Sequence, residues 1–94
     1  MAHKPKKKFD WEKFERNSRM CVHCQTEKEA KEFCRLMHEH GMRWRGGNSY
    51  LTDNKYDVYK DMTCYYGSSQ FCDLDWANRE GDIICKFSAY DFSD

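Results

Sequence analysis

A chain of 94 residues holds one domain, because a second core would have to be built from fewer than about 50 residues. Val, Ile and Leu number seven, and the six Phe bring these residues to 13 of 94, under the roughly 20% at which disorder becomes a serious reading. Two features argue against disorder: 16 Lys and Arg balance 16 Asp and Glu, removing self-repulsion, and six Phe, six Tyr and three Trp supply bulky rings.

The core is therefore expected to be aromatic and sulfurous. Small domains usually need a staple, and six Cys with four His have the means to make one. Zero net charge hides an asymmetry. Residues 1–20 carry seven basic and three acidic groups, whereas residues 73–94 carry two basic and six acidic groups.

In chain order, residues 1–8 hold Lys4, Lys6, Lys7 and Lys8 and read as a basic, solvated, disordered tail before a domain spanning 9–94. The tail leads into Phe9-Asp10-Trp11-Glu12, so the apolar stretch of a signal peptide is missing. No run approaches the 18 or so apolar residues of a membrane span. A cytoplasmic location is the expectation. There thiols stay reduced, which favours thiolate metal ligation over three disulfides.

Residues 9–19 have helical spacing, with Phe9, Trp11 and Phe14 available to dock. Met20 to Gln25 reads as a strand. Thr26 with Glu29 three positions on is a capping-box pattern, and Glu27, Glu29 and Glu32 suit the positive end of a helix. That helix is predicted to run to His40, where Gly41 supplies a left-handed C-terminal residue. Met42 to Arg45 follows as a short strand, ended by Gly46-Gly47.

Residues 48–60 read as an ordered loop with a strand near Tyr56 to Tyr59. Met62 to Tyr66 and Gln70 to Asp73 flank Gly67-Ser68-Ser69 as a hairpin, Asp73 to Glu80 forms one helical turn, and Ile83 to Phe87 closes the sheet. The order of elements predicts an α+β fold, one main helix packed on a small, mostly antiparallel sheet and stapled by a structural zinc site.

Within the main helix, Ala30, Phe33 and Met37 share a stripe, with Leu36 on one flank and Cys34 and His38 on the other. The i, i+4 spacing projects Cys34 and His38 toward one point, as in helical zinc-ligand pairs. For either residue alone, a small buried thiol or a solvated imidazole is the commoner role. A turn centred on Ser68 sets Cys64 opposite Cys72, with Cβ atoms about 4.5 to 5.5 Å apart. Cys34, His38, Cys64 and Cys72 thus form the first-ranked ligand set for Zn2+, with His23 and Cys24 as substitutes, Asp53 as a further oxygen donor and Cys85 as core.

Cys21-Val22-His23-Cys24 has zinc-knuckle spacing, but on an extended strand Cys21 and Cys24 face opposite sides. A redox dithiol reading of the same pair is the poorer one, because Thr26 starts the helix after both thiols have passed. Asp73-Leu74-Asp75 offers two carboxylates without further ligands. Four protein ligands leave no metal-bound water to activate, and the chain has no Gly-rich phosphate loop, no Gly-x-Ser-x-Gly elbow and no His-Glu-x-x-His. The expectation is a protein that is not an enzyme.

The run Val22 to Ala30, with Phe33-Cys34, Met37-His38-Glu39-His40-Gly41, Trp44, Thr63-Cys64-Tyr65 and Phe71-Cys72, resembles small Cys-rich proteins encoded by phages and prophages of Firmicutes. The likeness covers most of residues 10–90. Within that group the chain is most similar to zinc-containing anti-CRISPR inhibitors of type II-A Cas9. The resemblance implies a non-catalytic phage protein acting in the cytoplasm of the host bacterial cell. It also implies Cas9, at a recognition-lobe domain, as partner, and zinc holding the fold. Cys34, His38, Cys64 and Cys72 match positions of the Cys-rich members, without assigning metal ligands one by one. Two further functions stand beside this one: a zinc-stabilised nucleic-acid-binding module using Lys4 to Lys8 with Arg43 and Arg45, and a thiol oxidoreductase.

Overall fold

The computed structural model describes residues 6–93. It is an α+β domain with a mixed four-stranded sheet at its centre. The first described segment, β1 (Lys7–Lys8), pairs in parallel with β6 (Tyr90–Asp91) at the far end of the chain. Lys6, Lys7 and Lys8 are exposed, as a solvated tail would be, yet Lys7 and Lys8 belong to a ladder, so the expected tail does not extend over them. Lys4 lies outside the described residues. The Phe9 N–H continues the ladder to the Asp91 carbonyl at 2.8 Å, and the Phe9 and Phe92 rings meet at 4.7 Å.

The expected first helix is confined to α1 (Trp11–Arg16), because Asp10 caps it by accepting from the Lys13 N–H at 3.0 Å. Trp11 and Phe14 are buried, and the Trp11 indole N–H donates to the Phe92 carbonyl at 3.1 Å. After β2 (Met20–Cys24), Thr26 accepts from the Glu29 N–H at 3.1 Å and opens α2 (Glu27–Glu39). The Glu29 carboxylate reaches back to the Gln25 N–H at 2.9 Å, one residue before the cap, so the capping signal in the sequence is realised with a shift of one position. Gly41 ends the helix at φ +80°, where a side chain would be strained.

The segment after α2 is irregular rather than a strand, although Met42 and Trp44 are buried. The strand expected near Tyr56 is instead a helical turn, α3 (Tyr56–Tyr59), followed by a 3-10 turn over Lys60–Met62. The Asn54 side chain accepts from the Tyr56 N–H, and Lys55 sits at φ 58°. This local turn chemistry overrides the strand preference of Tyr and Val.

β3 (Thr63–Tyr66) and β4 (Gln70–Asp73) form the expected hairpin, followed by α4 (Leu74–Arg79), which Asp73 caps through the Trp76 N–H at 2.7 Å. β5 (Ile83–Lys86) completes the sheet in the order β4-β3-β2-β5. The hairpin and the β2–β3 pair are antiparallel, whereas β5 lies parallel to β2.

α2 and α4 cover opposite faces of this sheet. On one, Val22, Cys24, Tyr65 and Cys85 pack with Ala30, Phe33, Cys34 and Met37 and with the rings of Phe9, Trp11, Phe14 and Phe92. On the other, Cys21, Cys64 and Tyr66 pack with Ala77, and Cys72, Leu74 and Ile84 border them. Cover on both sides explains why apolar residues run almost continuously along β2.

Candidate functional site

The hairpin places Cys64 directly opposite Cys72, as the symmetric spacing about Ser68 predicts. The next register, between β2 and β3, sets His23 opposite Cys64 and Val22 opposite Tyr65. Because side chains alternate along a strand, Cys21, His23, Cys64 and Cys72 all belong to the α4 face. Cys34 and Cys24 belong to the α2 face. The sheet therefore stands between the helical half and the hairpin half of the first-ranked ligand set.

The expected ligands outside the hairpin have the following surroundings. Cys34 is buried beside Tyr65, and its thiol is pushed up to about 12, chiefly by burial. His38 is half-buried with Nδ1 3.3 Å from the Ser49 hydroxyl. Cys24 is fully buried and its thiol is raised by desolvation. The His23 Nε2 lies 2.7 Å from the Asp61 carbonyl. Asp53 pairs with the Lys55 ammonium at 2.7 Å, which holds its carboxyl below the usual range. Cys85 is buried core, as expected. Asp73 is a helix cap, and Asp75 is exposed.

Could the α4 face alone hold zinc? His23 and Cys72 lie on strands two apart, hence roughly 10 Å from each other, whereas ligands sharing bonds of about 2.0 to 2.3 Å must converge on one point. Among the described residues no group of three or more His, Cys, Asp or Glu side chains is arranged to hold a metal ion. These residues do not fit a zinc staple as they stand.

What the α4 face does hold is a thiol cluster joined to a polar chain. Cys64 donates to the Cys21 sulfur; that bond draws the Cys21 thiol below its ordinary value and, with burial, raises Cys64. Cys72 is the one half-buried cysteine, the other five being buried. Its Sγ lies 3.3 Å from the Tyr66 hydroxyl, which donates to Asp82 Oδ2 at 2.5 Å. Asp82 Oδ1 in turn pairs with the Arg19 guanidinium at 3.2 Å. Burial raises both Cys72 and Tyr66, and for Tyr66 the bond to Asp82 adds to the shift.

A cleft of about 520 Å³ opens beside this chain, lined by Arg19, Tyr59, Phe71, Cys72, Trp76 and Asp82 among others. Trp11 and Trp44 are 8% and 7% exposed, but Trp76 is 44% exposed at the cleft. Spacing alone left this site unread, since its parts come from the turn before β2, from the hairpin and from α4. The detectable signal was Asp73-Leu74-Asp75-Trp76-Ala77, a capped helix start with a Trp on its open side. Arg43 and Arg45 are exposed on the irregular segment after α2.

No family model, no curated protein and no solved structure matches the chain. No helix among the described residues is long and apolar enough to cross a membrane.

Proposed function

We propose that this protein is a non-catalytic binding module that docks on a partner protein through the cleft beside α4. Following the resemblance of its sequence to anti-CRISPR proteins, we propose type II-A Cas9 as that partner. One observation carries the docking surface: Trp76 stays exposed at the cleft in a chain that buries its other described tryptophans. An exposed Trp has an energetic reason to be covered, and Trp is enriched among residues that dominate binding energy. Asp73 and Glu80 also line the cleft, where Asp82 is already paired with Arg19, so the acidic part of the rim suits a basic group of the partner.

The test is target-DNA cleavage by Cas9 with added wild-type or Trp76→Ala protein. Inhibition by the wild type, weakened about tenfold or more in Trp76→Ala at an unchanged melting temperature, supports both parts. Undiminished cleavage with excess wild type removes Cas9 as the partner. Equal inhibition by both proteins moves the contact surface away from the cleft.

A further inference from the structure

The α4 face brings three free thiols onto three adjacent strands, and among them only Cys64 and Cys72 are directly opposed in a ladder. Cys64 and Cys72 are directly opposed across the hairpin. Opposed residues in an antiparallel pair have Cα atoms about 4.5 or 5.5 Å apart, inside the range of about 4.4 to 6.8 Å that a disulfide spans. Cys21 sits opposite Tyr66, which makes it a diagonal neighbour of Cys64, at about 7 to 8 Å. Cys21 and Cys72 are two strands apart.

Access differs as sharply. Cys21 and Cys64 have no exposed surface, whereas Cys72 is half-buried and lines the cleft. An oxidant entering the cleft therefore meets Cys72 first, with Cys64 directly across the ladder and Cys21 in contact with the far side of Cys64.

We infer that Cys72 is an oxidation site for small hydroperoxides, with Cys64 as its resolving thiol and a cross-strand Cys64–Cys72 disulfide as the product. In the first step the Cys72 thiol gives up its proton, which its burial disfavours and a higher pH promotes, and its sulfur attacks one oxygen of hydrogen peroxide; the O–O bond breaks and the leaving hydroxide takes up a proton as water, giving a sulfenic acid on Cys72. In the second, the Cys64 sulfur attacks the Cys72 sulfur, the S–O bond breaks, and the departing hydroxide carries away the Cys64 proton as water. Two thiols and one hydrogen peroxide thus give one disulfide and two waters, and an alkyl hydroperoxide gives one water and one alcohol. The peroxide is the electron acceptor. This chemistry goes beyond the docking proposal and is independent of it, since neither step needs a partner.

The test uses the full reduced chain treated with hydrogen peroxide, then alkylated and mapped by mass spectrometry without reduction. The expected result is a Cys64–Cys72 linkage as the first product under native conditions. Cys64→Ser is expected to accumulate sulfenic acid on Cys72, trapped with dimedone, and Cys72→Ser to consume peroxide about tenfold more slowly or less. A first linkage that uses any other cysteine, one that appears only in denaturant, or an unchanged rate in Cys72→Ser would overturn the inference. If Cys64→Ser does not fold, linkage mapping of the wild type and the Cys72→Ser rate decide the matter alone.

Discussion

Phe33→Ala tests whether rings carry this fold. Phe33 is fully buried at the centre of an aromatic cage, with ring centroids of Phe92, Phe14 and Trp11 at 5.4, 5.6 and 5.7 Å and that of Tyr65 at 6.0 Å. A buried aromatic side chain withdraws about 150 Å² or more from water, which at about 25 cal/mol per Å² contributes about 4 kcal/mol. Truncations of this kind cost about 3 to 5 kcal/mol once the cavity is included. That is a large share of the roughly 5 to 15 kcal/mol by which a domain is stable. At about 4 to 8 °C per kcal/mol for a domain of this size, the melting temperature should fall by about 15 to 30 °C.

The assay is thermal unfolding followed by near-ultraviolet circular dichroism, for wild type and variant, each with and without EDTA. A structural zinc would contribute on the order of 10 kcal/mol, so a chain that depended on it would lose its transition in EDTA. A ring-held chain melts at the same temperature in both buffers. A drop below about 5 °C in Phe33→Ala, or loss of the wild-type transition in EDTA, would refute the reasoning.

Gly67→Ala is expected to destabilise by about 2 kcal/mol or more, because a Cβ there would stand 2.0 Å from the Phe14 carbonyl oxygen and force the hairpin tip away from α1. Urea unfolding measures it, and an unchanged midpoint would contradict the close approach. Stability should also decline in alkali. The Cys34 thiol, ordinarily at 9.0, is raised by burial to about 12 in the folded chain. The unfolded chain therefore loses this proton first, and the stabilisation present below pH 9 is withdrawn progressively up to about pH 12. Urea midpoints taken from pH 8 upward should fall, and fall less steeply in Cys34→Ala. Equal slopes in the two proteins would show that this thiol is not the titrating group.

α2 and the hairpin were legible in the sequence because their signals are local. Thr26 and Glu29 satisfy backbone donors within one turn, Gly41 takes a conformation other residues resist, and Gly67-Ser68-Ser69 fixes the register that sets Cys64 against Cys72. The face those thiols occupy is a property of the whole sheet. β2 carries apolar groups at both parities, Met20 and Val22 on one and Cys21 on the other, so alternation does not say which side meets α2. The same holds for Cys64, Tyr65 and Tyr66 on β3.

The face is set by which parity of each strand meets α2. The Phe33 ring packs on Tyr65 of β3, and Tyr65 shares its parity with Phe71 of β4, which packs on Trp44. With Tyr65 and Phe71 on the α2 side, the pleat sends Cys64 and Cys72 to the other side, together with Tyr66 and beneath Ala77. Cys34 and His38 share one flank of α2, and the hairpin thiols lie across the sheet from that helix. The capped start of α4 at Asp73 is the sequence feature that points to a second layer, and with it to the separation of the thiols into two groups.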